Sequence, residues 1–145
     1  MNENNQTEIN ILMSNAKKIY EAWNIAWSNN DIDALLALYA DDAIIESPLI
    51  PYLLGKEQGV CEGKEEFRKL LGIAANRKPT NRKYYRKNYF TDGKTLMWEY
   101  PRVSPDGEQM DFMEVMELKD GLITNHRVYW GWLGFDIMKK DKYFR

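Results

Sequence analysis

From about Ile11 to Ser28 the residues Ile19, Tyr20, Trp23 and Trp27 recur at spacings of one, three and four, the period of a helix with one broad aromatic face. The polar start up to about Glu8 adds nothing to that face and is expected to fray. Asn29, Asn30 and Asp31 interrupt the pattern, and Asp31 is suited to cap a second helix over IDALLALYA. In DDAIIESP the period changes to β-branched residues closed by a proline, which predicts a short strand over Ala43 to Ser47. The next stretch, PLIPYLLGKEQGVCEG, is unusually apolar for a connection; it is expected to form either a lid over a site or a contact with a neighbouring chain. A third helix, KEEFRKLLGIAA, follows Gly63. Beyond it KYYRKNYF, TLMWEYPRV, QMDFMEVMEL and LITNHRVYWGW, separated by TDGK, SPDGE and KDG, read as strands of an antiparallel meander. Helices first and a meander second predict an α+β fold, with the sheet curved around the helices to enclose an interior. At 145 residues the chain forms one domain, 1–145.

The last hairpin carries the sharpest local expectation. If Lys119, Asp120 and Gly121 form a three-residue loop, Leu118 faces Leu122 and Glu114 lies directly opposite His126, within a wall that includes Phe112, Met116, Val128 and Trp130. A two-residue turn at Asp120 and Gly121 instead shifts the register by one and pairs Glu114 with Arg127. The first register gathers more apolar side chains on one side. Its opposite face carries Asp111, Met113, Val115, Glu117, Ile123, Asn125, Arg127 and Tyr129, a mixture suited to a homodimer contact.

Composition narrows the partners. The 22 acidic and 20 basic residues nearly cancel, so no overall field selects a nucleic acid or an anionic membrane. RKPTNRKYYRK interleaves six basic residues with tyrosines, a single-strand-binding pattern, but lysine and arginine also blunt an exposed sheet edge. No run reaches the 18 or more apolar residues of a membrane helix, and with no leader-like start the chain reads as cytoplasmic. Cys61 is the single cysteine and His126 the single histidine, which argues against a disulfide and a zinc set; neither a metal nor another cofactor is expected.

The run NDIDALLALYADDAIIESP, followed by GKEEF and MEVMELKDGLITNHRVYW, resembles the SnoaL-like and ketosteroid-isomerase-like branch of the nuclear transport factor 2 superfamily, over roughly Ile11 to Trp132. That resemblance implies a cone-shaped fold, three N-terminal helices against a strongly curved antiparallel sheet with a pocket between them. It also implies roles. Ser47 stands where the isomerases keep an aspartate base; Trp23, or Tyr20 one turn earlier, stands near their oxyanion-binding tyrosine; Glu114 corresponds to their protonated aspartate and Trp130 to a pocket tryptophan. His126 then points inward.

Glu114 and His126 together suit acid–base work: the carboxylate orients one ring nitrogen and the other faces the cavity. Tyr20, Trp23, Ser47, Glu99, Phe112 and Trp130 are the expected substrate contacts, with the direction of Glu99 set by its competition with Trp98 and Tyr100 for the inside. The expected function is a cofactor-independent acid–base enzyme, of isomerase, cyclase, dehydratase or hydrolase type, acting on a hydrophobic carbonyl or polycyclic small molecule. The alternative is a ligand-binding or dimerising module without chemistry.

Overall fold

The structure is a computed structural model that describes residues 3–76, 88–103, 109–131, 134, 136 and 140. Helix α1 (Glu3–Asn29) buries one stripe, Ala16, Ile19, Trp23, Ala26 and Trp27, at helical spacing. It begins at Glu3 rather than near Ile11, because its first turns need no core: their side chains are exposed, and Gln6 Nε2 donates to Asn10 Oδ1 at 3.2 Å one turn on. Helix α2 (Ile32–Ala37) starts as expected, with Asp31 Oδ1 accepting from the Ala34 N–H at 2.9 Å. It ends one turn earlier than the pattern suggests, and Tyr39 already belongs to strand β1 (Tyr39–Glu46).

The stretch expected as a loop contains two elements, helix α3 (Leu49–Leu54) and strand β2 (Val60–Glu62). Pro51 disguises α3 in the sequence. It occupies the first helical turn, where a backbone N–H has no intrahelical acceptor to lose. Helix α4 (Gly63–Asn76) buries Phe67, Leu70 and Ala74, and Phe67 meets Tyr39 of β1 edge to face, with ring centroids 5.3 Å apart. Lys56 Nζ bonds both carboxylate oxygens of Glu66, at 2.9 and 2.7 Å, and thereby ties the end of the α3 loop to α4.

Strands β3 (Phe90–Thr91), β4 (Thr95–Val103), β5 (Gln109–Lys119) and β6 (Leu122–Trp130) complete one sheet in the order β2-β1-β6-β5-β4-β3. The α+β architecture of helices on a curved sheet is present, but the sheet is mixed: β1 runs parallel to β6, with Ile45 beside His126. Most of KYYRKNYF, the RKPTNRKYYRK patch, SPDGE and Trp132 lie outside the described residues.

At its turn the last hairpin follows the two-residue alternative, but neither expected partner of Glu114 is observed. Asp120 and Gly121 form a two-residue turn with φ of 53° and 77°, so Lys119 pairs with Leu122 and Leu118 with Ile123. A bulge then makes Thr124 the extra residue, and beyond it Glu117 pairs with Asn125, Met116 with His126 and Glu114 with Val128. The turn displaces the register by one and the bulge by one more. Two steps restore the side on which each residue points. Glu114 and His126 therefore share the inner face, one pair apart instead of directly opposite. Before the bulge the sides are exchanged: Ile123, expected on the outer face, is fully buried, and Leu122 is exposed.

Candidate functional site

Between the helices and the inner sheet face lies a cavity of about 80 Å³. Six aromatic rings, those of Trp23, Trp27, Tyr39, Tyr100, Phe112 and Trp130, line it together with aliphatic side chains. Leu49 of α3 and Leu70 of α4 close the helix side, so the short helix does cover the cavity. At roughly 10–15 Å³ per water on such a measure, this space takes a few waters or one small organic molecule. A polycyclic skeleton would have to displace Leu49 or the α4 side chains.

The polar part of the wall is a continuous chain of buried hydrogen bonds. Trp23 Nε1 donates to the Tyr39 hydroxyl at 3.2 Å, and that hydroxyl lies 2.8 Å from His126 Nδ1. His126 Nε2 is 2.7 Å from Glu114 Oε2, and the Tyr100 hydroxyl donates to Glu114 Oε1 at 2.6 Å. Glu114 and His126 retain only 2% and 4% of their exposure, so water does not substitute for these bonds.

The proton positions follow from the donors. An indole N–H can only donate, so the Tyr39 oxygen accepts from Trp23. Burial pushes the Tyr39 phenol well above its ordinary pKa, a rise that the Trp23 bond opposes and the nearby Glu114 charge reinforces, so Tyr39 keeps its hydrogen. That hydrogen meets its acceptor in His126 Nδ1. The imidazole then carries its proton on Nε2 and donates to Glu114, which as a carboxylate receives His126 and Tyr100 together. Each donor in the chain has an acceptor. Reversing the ring to a proton on Nδ1 would leave the Tyr39 hydrogen without one.

The structure brings the expected pair within hydrogen-bond distance but surrounds the histidine differently. Its second ring nitrogen does not open to the cavity, because Tyr39 occupies it. Trp23, Ser47, Phe112 and Trp130 all line the cavity. Ser47 sits at the strand end, with its Oγ accepting from the Leu49 N–H at 3.2 Å, which suits a helix-entry residue. Tyr20 is not among the lining residues; its ring packs on Tyr89 and Trp98 at centroid distances of 4.7 and 5.2 Å. Glu99 is exposed on the outer face beside Met113, since Leu96, Trp98 and Tyr100 take the alternating inner positions.

Two members of the chain escaped the sequence reading. Tyr39 falls within an apparently helical run, and only the early end of α2 places it on β1. Tyr100 had a usable signal: the alternation Leu96, Trp98, Tyr100 marks it as inward. Among the described residues no cluster of three or more potential metal ligands occurs, and no helix is long and apolar enough to cross a membrane.

A family model described as a SnoaL-like domain matches residues 17–126. Among solved structures, a nuclear transport factor 2-like protein of unknown function from Burkholderia pseudomallei is similar in fold, with a TM-score of 0.69 at 13% identity over 87% of this chain and 95% of that one. A protein from Kribbella flavida gives 0.65 at 18% identity over 86% and 93%. A SnoaL-like protein of unknown function from Burkholderia thailandensis gives 0.60 at 20% identity over 81% and 95%. At these identities the likeness is one of fold. No curated protein gave a significant match.

Proposed function

The chain belongs to the SnoaL-like domain family, a family of small-molecule-binding domains, and from that premise we propose that it is a cofactor-independent acid–base enzyme acting on a small hydrophobic carbonyl compound. The observation that carries this reading is the buried carboxylate of Glu114, held by Tyr100 and His126 in the wall of a mainly apolar cavity. Glu114 is the base. It takes a proton from the carbon next to the substrate carbonyl and returns it to the same or a conjugated carbon, the pattern of an isomerase or cyclase step. His126 holds the carboxylate in place and, through Tyr39 and Trp23, is itself held in one tautomer. As Glu114 takes up the proton, the Tyr100 hydroxyl is released from it and becomes a donor for the enolate oxygen.

Cyclopentanone in heavy water provides the test. Proton NMR should show catalytic replacement of its α-hydrogens by deuterium, saturating with ketone concentration, together with quenching of the cavity tryptophans. Binding without exchange would favour the module without chemistry.

The outer sheet face supports a homodimer as the second part of this proposal. Met113 and Tyr129, cross-strand partners, retain 38% and 53% of their exposure there, Val115 follows on the same face opposite Arg127, and Arg127 Nη1 is paired with Glu117 Oε1 at 2.7 Å. A second copy laid face to face covers this surface in a closed, isologous contact. Val115→Asp is expected to convert the dimer to monomer in multi-angle light scattering; a monomeric unmodified protein would end the dimer proposal.

A further inference from the structure

We infer that the molecule taken by this cavity carries a protonated nitrogen, so that the substrate class is a small ammonium-bearing carbonyl compound. The inference rests on the carboxylate state of Glu114 in the reading above and adds to it the charge balance of the wall. Among the described residues lining the cavity there is no lysine or arginine; Glu114 and His126 are the only acid and base. With Tyr39 donating to Nδ1 the imidazole is neutral, and among the described wall residues no positive charge offsets the Glu114 carboxylate.

Both sides of the remaining space suit a cation. Each carboxylate oxygen of Glu114 receives one donor, His126 on Oε2 and Tyr100 on Oε1, whereas a carboxylate can accept about four. Six aromatic rings share the rest of the wall with aliphatic side chains and Ser47, and the faces of Trp and Tyr rings attract an ammonium in a space shielded from water. The chemistry gains from the same charge. Removing a proton next to a carbonyl builds an enolate oxygen, and no described wall residue supplies a full positive charge to it. A substrate that brings its own ammonium supplies that charge without an added cation. A neutral ketone can undergo the same proton exchange, but without this assistance.

Isobutylammonium and isobutanol have the same skeleton and differ in the charge of the head group. Binding of each to the full chain, with chloride concentration held constant, is read from the ring signals of the single histidine, which report occupancy at this cavity and not at the surface. The ammonium is expected to bind about tenfold more tightly than the alcohol. In Glu114→Gln the two affinities should come within about twofold of each other. Equal affinities in the unmodified protein, or a preference unchanged in Glu114→Gln, would overturn the inference. If that variant does not fold, the comparison in the unmodified protein decides alone. Deuterium exchange into cyclopentanone with equal affinities for the two probes would remove the cationic substrate and leave the acid–base reading standing; absence of exchange together with a clear ammonium preference would do the reverse.

Discussion

His126→Ala is expected to lower the unfolding free energy by about 3 kcal/mol or more, the range seen when one partner of a buried pair is removed. Three losses coincide. The Glu114 carboxylate keeps only the Tyr100 donor in a site almost closed to water, and the Tyr39 hydrogen loses its acceptor. The third is a void where the imidazole had packed near the Trp23 and Tyr39 rings, at centroid distances of 6.1 and 6.0 Å. Urea denaturation followed by tryptophan fluorescence reads the change as a lower midpoint. A variant as stable as the parent would mean that the chain of bonds is not intact in solution.

Glu114→Gln separates chemistry from stability. The amide preserves the shape of the carboxyl group and can still accept from one of the two donors, so the fold should survive, with a loss of about 1–2 kcal/mol for the imperfectly matched hydrogen bond. Its basicity is gone. Deuterium exchange into cyclopentanone should therefore fall by about two to four orders of magnitude, the contribution of a positioned general base. Unchanged exchange in a folded variant would assign the base elsewhere. A variant that loses exchange and fold together is separated from the expected case by its urea midpoint.

How much of this was legible before folding depends on parity more than on pairing. A three-residue loop puts Glu114 and His126 on one inner face, and that loop does not exist. The real two-residue turn and the bulge at Thr124 each displace the strand by one, and a displacement of two leaves every side chain on its original side beyond the bulge. Ile123 and Leu122, which lie before the bulge, show the single displacement and exchange places. A bulge has no strong sequence signature, so direct opposition could not be distinguished from a diagonal neighbour. Glu99 was legible in principle, because Trp98 and Tyr100 cannot be its competitors one at a time; strict alternation gives them the inside together. Tyr39 was not, since the apolar run through Ala40 continues the helical period beyond the point where the chain leaves the helix. The proton order along the chain is set only in the folded molecule, as it depends on which nitrogen Tyr39 meets.

That proton order is open to one direct measurement. The chain has a single histidine, so a long-range nitrogen–proton correlation spectrum of uniformly labelled protein contains one imidazole and needs no assignment by mutation. The expected spectrum is that of a neutral ring with the proton on Nε2 and an acceptor-type Nδ1, and addition of cyclopentanone should shift the ring signals as the ketone enters beside Glu114. A ring protonated on Nδ1, or on both nitrogens, would contradict the directed chain from Trp23 to Glu114. Ring signals indifferent to saturating ketone would contradict the cavity as a site for a small carbonyl compound.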